Sequence, residues 1–186
     1  MFDLDLDRLT DAQRAMVALW EAHLAAEFEK KDEVAACDTM VDDPYVNHVP
    51  VLTGGVGRKH LEHFYGKYFV VGMPDDVELA PLSRTVGYNR IVDEFVFRCT
   101  HSTRIDWLLP GIPPTGRRLE LVLVVIISFE DGKMKDEHIL WDQASALVQV
   151  GLLDPEKLPV TGAEAARKML DPQSVPSNKL IKRYVD

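Results

Sequence analysis

One carboxylate lies where an apolar stretch ends and a helical pattern begins. In HILWDQASALVQVG, residues 138–151, Asp142 directly follows Trp141 and precedes apolar residues at helical spacing. Aspartate is a common helix N-cap, which predicts a structural role. A carboxylate enclosed by tryptophan and aliphatic side chains would instead have its pKa raised by desolvation, as a general base in a pocket requires near neutral pH. The residues alone leave both interpretations open.

Two polar pairs with i, i+2 spacing form a second group of candidates. They are Tyr45 with Asn47 in YVN, and Arg104 with Asp106 in RID. Alternate residues of an extended strand share a face, so each pair can present two polar groups to one pocket. The alternative for Arg104 and Asp106 is a surface ion pair, which stabilises a protein little.

The histidines suggest hydrogen bonding and proton transfer rather than metal binding. His48 follows Asn47, and His101 lies in RCTHSTR, where a strand histidine could donate to a developing oxyanion. His60 and His63 are one helical turn apart, but HLEH is not the H-E-x-x-H motif of zinc enzymes. We therefore expect no metal ion and no cofactor, since nucleotide-binding glycine motifs and a G-x-S-x-G elbow are also missing from the sequence.

Aromatic residues are the candidates for contact with a substrate. Trp20, Tyr65, Trp107 and Trp141 are each in apolar surroundings in the sequence, where most aromatic side chains belong to a core. Those that line a cavity would suit an apolar ring or chain, which predicts a small hydrophobic substrate.

The composition limits the class of protein. The chain has 186 residues, 46% of them hydrophobic, and a formal charge of -9. These values predict one domain with a core and disfavour nucleic acid as a partner. The longest apolar run, LVLVVII at 121–127, is too short for a membrane helix. Two cysteines without a C-x-x-C spacing and an acidic start predict a cytoplasmic protein with reduced thiols.

The order of elements predicts an α+β fold. Thr10 and Gln13 form a capping box before a helix at 11–30. Asp131-Gly132 predicts a tight hairpin. The other expected elements are helices at 33–41, 57–69, 143–150 and 162–170, a short extended segment at 45–52, and strands at 78–88, 90–101, 103–109, 118–130 and 133–142.

Helices followed by an antiparallel meander favour a curved sheet wrapped around the N-terminal helices, with a cavity between them. The strand LELVLVVIISF is apolar on both faces apart from Glu120. A second subunit would cover its outer face, which predicts a homodimer through the sheet. We expect the α+β domain to span 1–151, and 152–186 to be an extension with a helical tail that packs on the domain or on a partner subunit.

The segment GIPPTGRRLELVLVVIISFEDGKMKDEHILWDQASALVQVGLL resembles the nuclear-transport-factor-2-like superfamily in its SnoaL-like branch. The matching features are the turn at 114–116, the long strand, the hairpin at 129–134, Asp142, and the helix stop Gln149-Val150-Gly151. The resemblance covers residues 11–151 and implies a cone-shaped fold. Superfamily members include isomerases, cyclases, hydrolases and binding domains, so the fold alone leaves the reaction open.

The resemblance implies roles for the candidate residues. SnoaL-like cyclases carry an aspartate at the position of Asp142, as a pocket acid or base. In limonene-epoxide-hydrolase-like members, Tyr45 and Asn47 would orient a water that Asp142 deprotonates. Asp106 would be the acid, and Arg104 would bridge the carboxylates. A different alignment places Arg98, Thr100 and His101 on the pocket strand instead.

The expected function is that of a cofactor-independent acid–base enzyme acting on a small hydrophobic molecule. The reaction would be a SnoaL-like cyclisation or isomerisation, or an epoxide-type hydration. The alternative is a non-catalytic small-molecule-binding or dimerisation domain of the same fold, in which Asp142 is only a helix cap.

Overall fold

The computed structural model describes residue 2 and residues 5–181 of the chain. Its helices are α1 (Asp11–Leu24), α2 (Glu33–Asp38), α3 (Arg58–Phe64), α4 (Gln143–Gln149) and α5 (Glu164–Leu170). Its strands are β1 (Met40–His48), β2 (Thr53–Val56), β3 (Glu78–Val86), β4 (Arg90–Thr100), β5 (Arg118–Glu130) and β6 (Lys133–Leu140). The expected α+β class is confirmed.

Two helices widen into π-helix at their C-terminal ends. Helix α1 begins with the predicted capping box, in which Thr10 and Gln13 bond each other's backbone, and it continues as a π-helix over Ala25–Lys30. Helix α3 continues in the same way over Tyr65–Phe69. Single π-helical turns occur often at functional sites, because the extra residue per turn re-aims side chains. Both π-helical segments pack under the same face of the sheet.

The six strands form one curved, open sheet in the order β2-β1-β6-β5-β4-β3. Strands β3, β4, β5 and β6 form the expected antiparallel meander, and β1 pairs with β6 in parallel. Asp131 and Gly132 both have positive φ, at 51° and 78°, as a tight β5–β6 hairpin requires. The sheet is therefore mixed, with one parallel pair within the antiparallel pattern.

Two predicted segments differ from the structure. The helix expected over 33–41 ends at Asp38, and β1 begins at Met40, with Pro44 inside the strand where the pairing with β6 shifts register. Proline is tolerated there because an irregular register needs no ladder donor. The strand expected over 103–109 is a turn, in which the Leu109 N–H donates to the Ile105 carbonyl at 2.7 Å. Its apolar residues are buried as a turn under the sheet.

The core lies between the helices and the inner face of the sheet. Strand β5 alternates strictly, with Leu119, Leu121, Leu123, Val125 and Ile127 all buried inward. This alternation places every second side chain of the strand against the helices. No helix in the described part of the chain is long and apolar enough to cross a membrane.

The outer face of β5 is partly covered by the chain itself. Gln149 of α4 bonds the backbone of Glu120 in both directions, at 2.7 and 3.0 Å. Arg167 of α5 contacts the Glu120 carboxylate at 2.7 Å, and Ser145 donates to the Gly162 carbonyl. Residues 162–170 thus pack on the sheet of their own chain. The homodimer through the sheet stays a prediction.

Candidate functional site

A cavity of about 30 Å³ lies between the curved sheet and the two π-helical segments. This volume accommodates roughly two water molecules. Most of its walls are aromatic and aliphatic side chains, and none of its lining residues is Lys or Arg. Among the lining residues only Leu24 and Phe28 are partly exposed, so the opening towards solvent lies beside them.

Four polar side chains lie together at one side of the cavity: Glu27, Tyr65 and Glu137 line it, and His23 is buried behind them. His23 and Glu27 come from the first helix and its π-helical end, Tyr65 from the second π-helical segment, and Glu137 from β6. The His23 Nε2 atom lies 3.1 Å from Glu27 Oε1, 4.0 Å from Glu137 Oε2 and 3.5 Å from the Tyr65 hydroxyl. All four residues are at most 5% exposed. We call these four residues the polar cluster.

The tautomer of His23 is set by its other nitrogen. Nδ1 contacts the Ala36 carbonyl at 3.1 Å and the Thr39 hydroxyl oxygen at 2.7 Å. A carbonyl can only accept, so Nδ1 carries a proton. Nε2 therefore either accepts a proton from Glu27 or donates one to it.

Burial and charge perturb the ionisation of the polar cluster. Burial alone would lower the pKa of His23, but the charge and hydrogen bond of Glu27, together with the Glu137 charge, raise it overall. Burial, reinforced by the Glu27 charge, raises the pKa of Glu137 to about 8. Burial and the two carboxylates also raise the pKa of Tyr65 well above its ordinary value. The cluster thus retains protons near neutral pH.

A second histidine lines the cavity from β1, the strand that pairs with the strand of Glu137, and its pKa is shifted in the reverse direction. His48 is 2% exposed and lies among aromatic rings, with ring centroids 5.2 Å from Trp107 and 5.7 Å from Phe69. Its Nδ1 donates to the Thr53 carbonyl at 3.2 Å, which leaves Nε2 without a proton in the neutral ring. Burial lowers the pKa of His48 to about 4. His48 is therefore neutral at pH 7.

The indole of Trp107 is a buried donor without a partner. Its ring lines the cavity, and its Nε1 makes no hydrogen bond within the described part of the chain. An unsatisfied buried N–H costs free energy, of the order of 1–3 kcal/mol. Trp20 differs, because its Nε1 donates to Asp93 at 2.7 Å.

Asp142 lies outside this cavity. It is exposed and caps α4, accepting from the N–H groups of Ala144 and Ser145 at 2.9 and 3.2 Å. The prediction that hydrophobic neighbours bury this carboxylate is wrong, because the chain turns into α4 and leaves the side chain in solvent. Its geometry is that of the helix cap, and the structure gives no support to a catalytic role.

Tyr45 and Asn47 point away from the cavity. Along β1 the inward residues are Val46 and His48, whereas Tyr45 is 37% exposed and packs on His138. The i, i+2 pattern was correct, but the two polar residues occupy the outer face. A period of two in a strand does not show which face is buried.

Arg104 and Asp106 form a surface pair instead of a pocket pair. Their side chains lie 3.4 Å apart and are 60% and 26% exposed, in the turn that replaces the predicted strand. The N–H of Gly111 and the Arg104 charge lower the pKa of Asp106, the opposite of what a general acid needs. The predicted meeting of this pair with Asp142 in one pocket is wrong. Arg98 and Thr100 also face outward, bonded to Glu120 and Asp76.

Of the six residues predicted to bind substrate, four line the cavity: Trp20, His48, Tyr65 and Trp107. Trp141 lies behind His48, at 6.0 Å between ring centroids, and its Nε1 donates to Gln143. His101 is buried beside Thr115, away from the cavity. Substrate binding by these residues stays a prediction.

Three residues of the polar cluster were missed at the level of sequence, although each left a signal. His23 and Glu27 lie in the apolar stripe of the first helix, one turn apart and in line with Met16 and Trp20. Glu137 shares the buried face of the last strand with Ile139, at the same spacing of two that leads on to Trp141. Polar residues at core positions of an apolar pattern are rare and are often functional.

Comparison with known proteins agrees with this architecture. A family model described as SnoaL-like polyketide cyclase matches residues 10–150. No curated protein matches the chain in sequence.

Several solved structures have a similar fold at low sequence identity. TsrD from Streptomyces laurentii superposes with a TM-score of 0.59 at 20% identity, covering 78% of this chain and 100% of that one. A proposed polyketide cyclase from Xanthomonas campestris gives 0.56 at 16% identity, over 76% and 100% of the two chains. A protein with a ketosteroid isomerase-like fold from Catenulispora acidiphila gives 0.56 at 12% identity, over 73% and 93%. At these identities the likeness shows the fold alone.

Proposed function

Since the chain belongs to the SnoaL-like polyketide cyclase family, we propose that it is an acid–base enzyme that moves a proton on a small hydrophobic molecule bound in the cavity. The reaction class is cyclisation or isomerisation through an enolate. The observation that supports the proposal is the polar cluster, three of whose four members line a cavity with mostly apolar walls.

The two carboxyl groups of the polar cluster have different roles in this proposal. Glu27 is hydrogen-bonded to His23 at 3.1 Å, whereas Glu137 lies beyond hydrogen-bond distance of that nitrogen, at 4.0 Å, and accepts from the Tyr65 hydroxyl. Glu137 is therefore the group that exchanges a proton with a guest molecule. Only the ionised form of Glu137 can act as the base: the C–H bond of the guest breaks, its proton moves to the carboxylate, and the electron pair remains on the guest as an enolate. The Tyr65 hydroxyl donates towards the charge that develops.

A ring-sized guest needs more room than this cavity of about 30 Å³ provides. The residues beside the opening are Leu24 and Phe28, and Phe28 packs edge-on against Phe69 at 6.0 Å. Both phenylalanines belong to π-helical segments. Rotation of these two rings would enlarge the cavity without moving the sheet.

The proposal is tested by proton exchange on β-tetralone, an aromatic ketone with an acidic C–H next to its carbonyl. In D₂O the full chain should accelerate replacement of that hydrogen by deuterium, measured by NMR. Glu137→Gln should lower the acceleration by about 100-fold or more, since general acid–base groups contribute about 10²–10⁴. Glu130→Gln, an exposed carboxylate on the neighbouring strand, is the matched control. No acceleration by the wild-type chain, or equal rates in both variants, would reject the proposal.

The second candidate function is a non-catalytic binding or dimerisation domain. The small volume of the cavity favours it. In that case β-tetralone would bind, or fail to bind, without any exchange above the buffer rate.

A further inference from the structure

Three ligand atoms of the polar cluster converge on one point. His23 Nε2, a Glu27 oxygen and a Glu137 oxygen all lie within 4.8 Å of one another, and the three residues are buried. Tetrahedral bonds of ~2.0–2.2 Å to nitrogen and oxygen place ligand atoms about 3.4 Å apart. The observed separations of 3.1 and 4.0 Å from Nε2 bracket that value. Small side-chain rotations suffice to coordinate an ion.

The orientation of His23 is the one that a metal ligand needs. Nδ1–H is held by the Ala36 carbonyl and the Thr39 hydroxyl, which fixes the ring and directs Nε2 at the carboxylates. Metal-bound histidines commonly donate their second N–H to a backbone carbonyl in this way. This contact lies outside the group of three ligands and is independent of their mutual distances.

A divalent cation would balance the charge of the cluster in its ionised form. Two ionised carboxylates and a neutral imidazole carry two negative charges in a site without Lys or Arg among the cavity-lining residues. Buried charges are stable only when they are paired or coordinate a metal. Either two protons or one divalent cation can supply the missing charge.

We propose that His23, Glu27 and Glu137 bind one divalent first-row transition metal ion, with the Tyr65 hydroxyl and the cavity on its open side. One nitrogen and carboxylate oxygens suit Zn²⁺, Fe²⁺, Mn²⁺ or Co²⁺, and there is no thiolate in the set to favour Cu⁺. The ion replaces the protons that the cluster otherwise holds, so metal binding releases protons. This inference concerns binding and does not rest on the proposed proton transfer, which belongs to the metal-free chain because a bound ion would occupy Glu137.

The probe is Co²⁺ alone, added to the full chain freed of metal by a chelator. Inner-sphere coordination gives intense visible d–d absorption, and Zn²⁺ should abolish it by competition. Because the site is buried, one sample is incubated in the folded state and another is refolded from urea with Co²⁺ present. We expect one ion per chain in at least one of the two samples.

Isosteric variants separate this site from a surface site. Glu27→Gln and Glu137→Gln should each weaken Co²⁺ binding by about 100-fold or more, since losing even an outer-shell partner costs about 10–100-fold. Far-ultraviolet circular dichroism of each variant checks the fold, and either variant alone suffices. The matched control removes the exposed pair on α3, in His60→Gln/His63→Gln. No bands in either wild-type sample, or bands lost only in the control, would overturn the proposal.

Discussion

His48 should contribute strongly to the loss of stability of the fold at acidic pH. Its pKa falls from 6.5 to about 4 in the folded chain because the ring is buried among aromatic side chains. A histidine whose pKa is lower in the folded chain than in the unfolded chain favours the folded state at pH values above its unfolded pKa. This contribution to stability is lost as the pH falls from 6.5 towards 4. At ~1.4 kcal/mol for each pH unit, protonation of His48 in the unfolded chain lowers the free energy of unfolding by about 3 kcal/mol between pH 7 and pH 4.

The perturbation is His48→Phe, which fits the aromatic surroundings and does not titrate. Loss of the hydrogen bond to the Thr53 carbonyl lowers stability by a similar amount at every pH, so the difference between pH 7 and pH 4 isolates the ionisation. Urea denaturation at both pH values gives that difference. It should be about 3 kcal/mol smaller in His48→Phe than in the wild type.

The control is His60→Gln, which changes an exposed histidine. It should leave the difference between pH 7 and pH 4 unchanged to within about 0.5 kcal/mol. If His48→Phe behaves like this control, then His48 is not held neutral by burial, and the account of the apolar wall is wrong.

Substitutions at three other carboxylates test how each of them stabilises the fold. Asp142→Ala should lower the free energy of unfolding by about 1 kcal/mol through loss of the α4 cap, whereas Asp142→Asn should change it by only a few tenths, both measured by urea denaturation. A loss above about 3 kcal/mol for Asp142→Asn would show that the carboxylate is buried after all. Asp93→Ala should cost about 3–5 kcal/mol, because it removes the buried partner 2.7 Å from the Arg84 guanidinium and leaves only the exposed Glu21 to pair with it. Glu94→Ala, the neighbouring and less buried carboxylate, should cost about 1 kcal/mol or less, and equal losses in thermal melts of the two variants would contradict the buried pair.

Local signals in the sequence predict most of the elements. The capping box at Thr10, the Asp131-Gly132 turn and the alternation along β5 each act over a few residues, and each occurs where it was expected. The segment 103–109 was predicted wrongly because its apolar residues resemble a strand. They are buried by turning back under the sheet, which depends on residues distant in sequence.

The candidate site was harder to predict than the fold. Alternation correctly paired Tyr45 with Asn47, but their face is decided by the sheet that β1 joins. His23 and Glu27 follow one another on a helix, whereas Glu137 is brought to them only by tertiary folding. The widening of both helices into π-helix at the site gives no pattern that hydrophobic periodicity detects.

We propose that the buried polar cluster, and not the exposed Asp142, is the site of proton transfer. The most direct measurement compares the deuterium exchange of β-tetralone in Glu137→Gln and Asp142→Asn at the same pH, with folded protein verified by circular dichroism. We expect the exchange rate to fall by about 100-fold or more in Glu137→Gln and to stay within about twofold of wild type in Asp142→Asn. Loss of exchange in Asp142→Asn with full activity in Glu137→Gln would contradict the proposal.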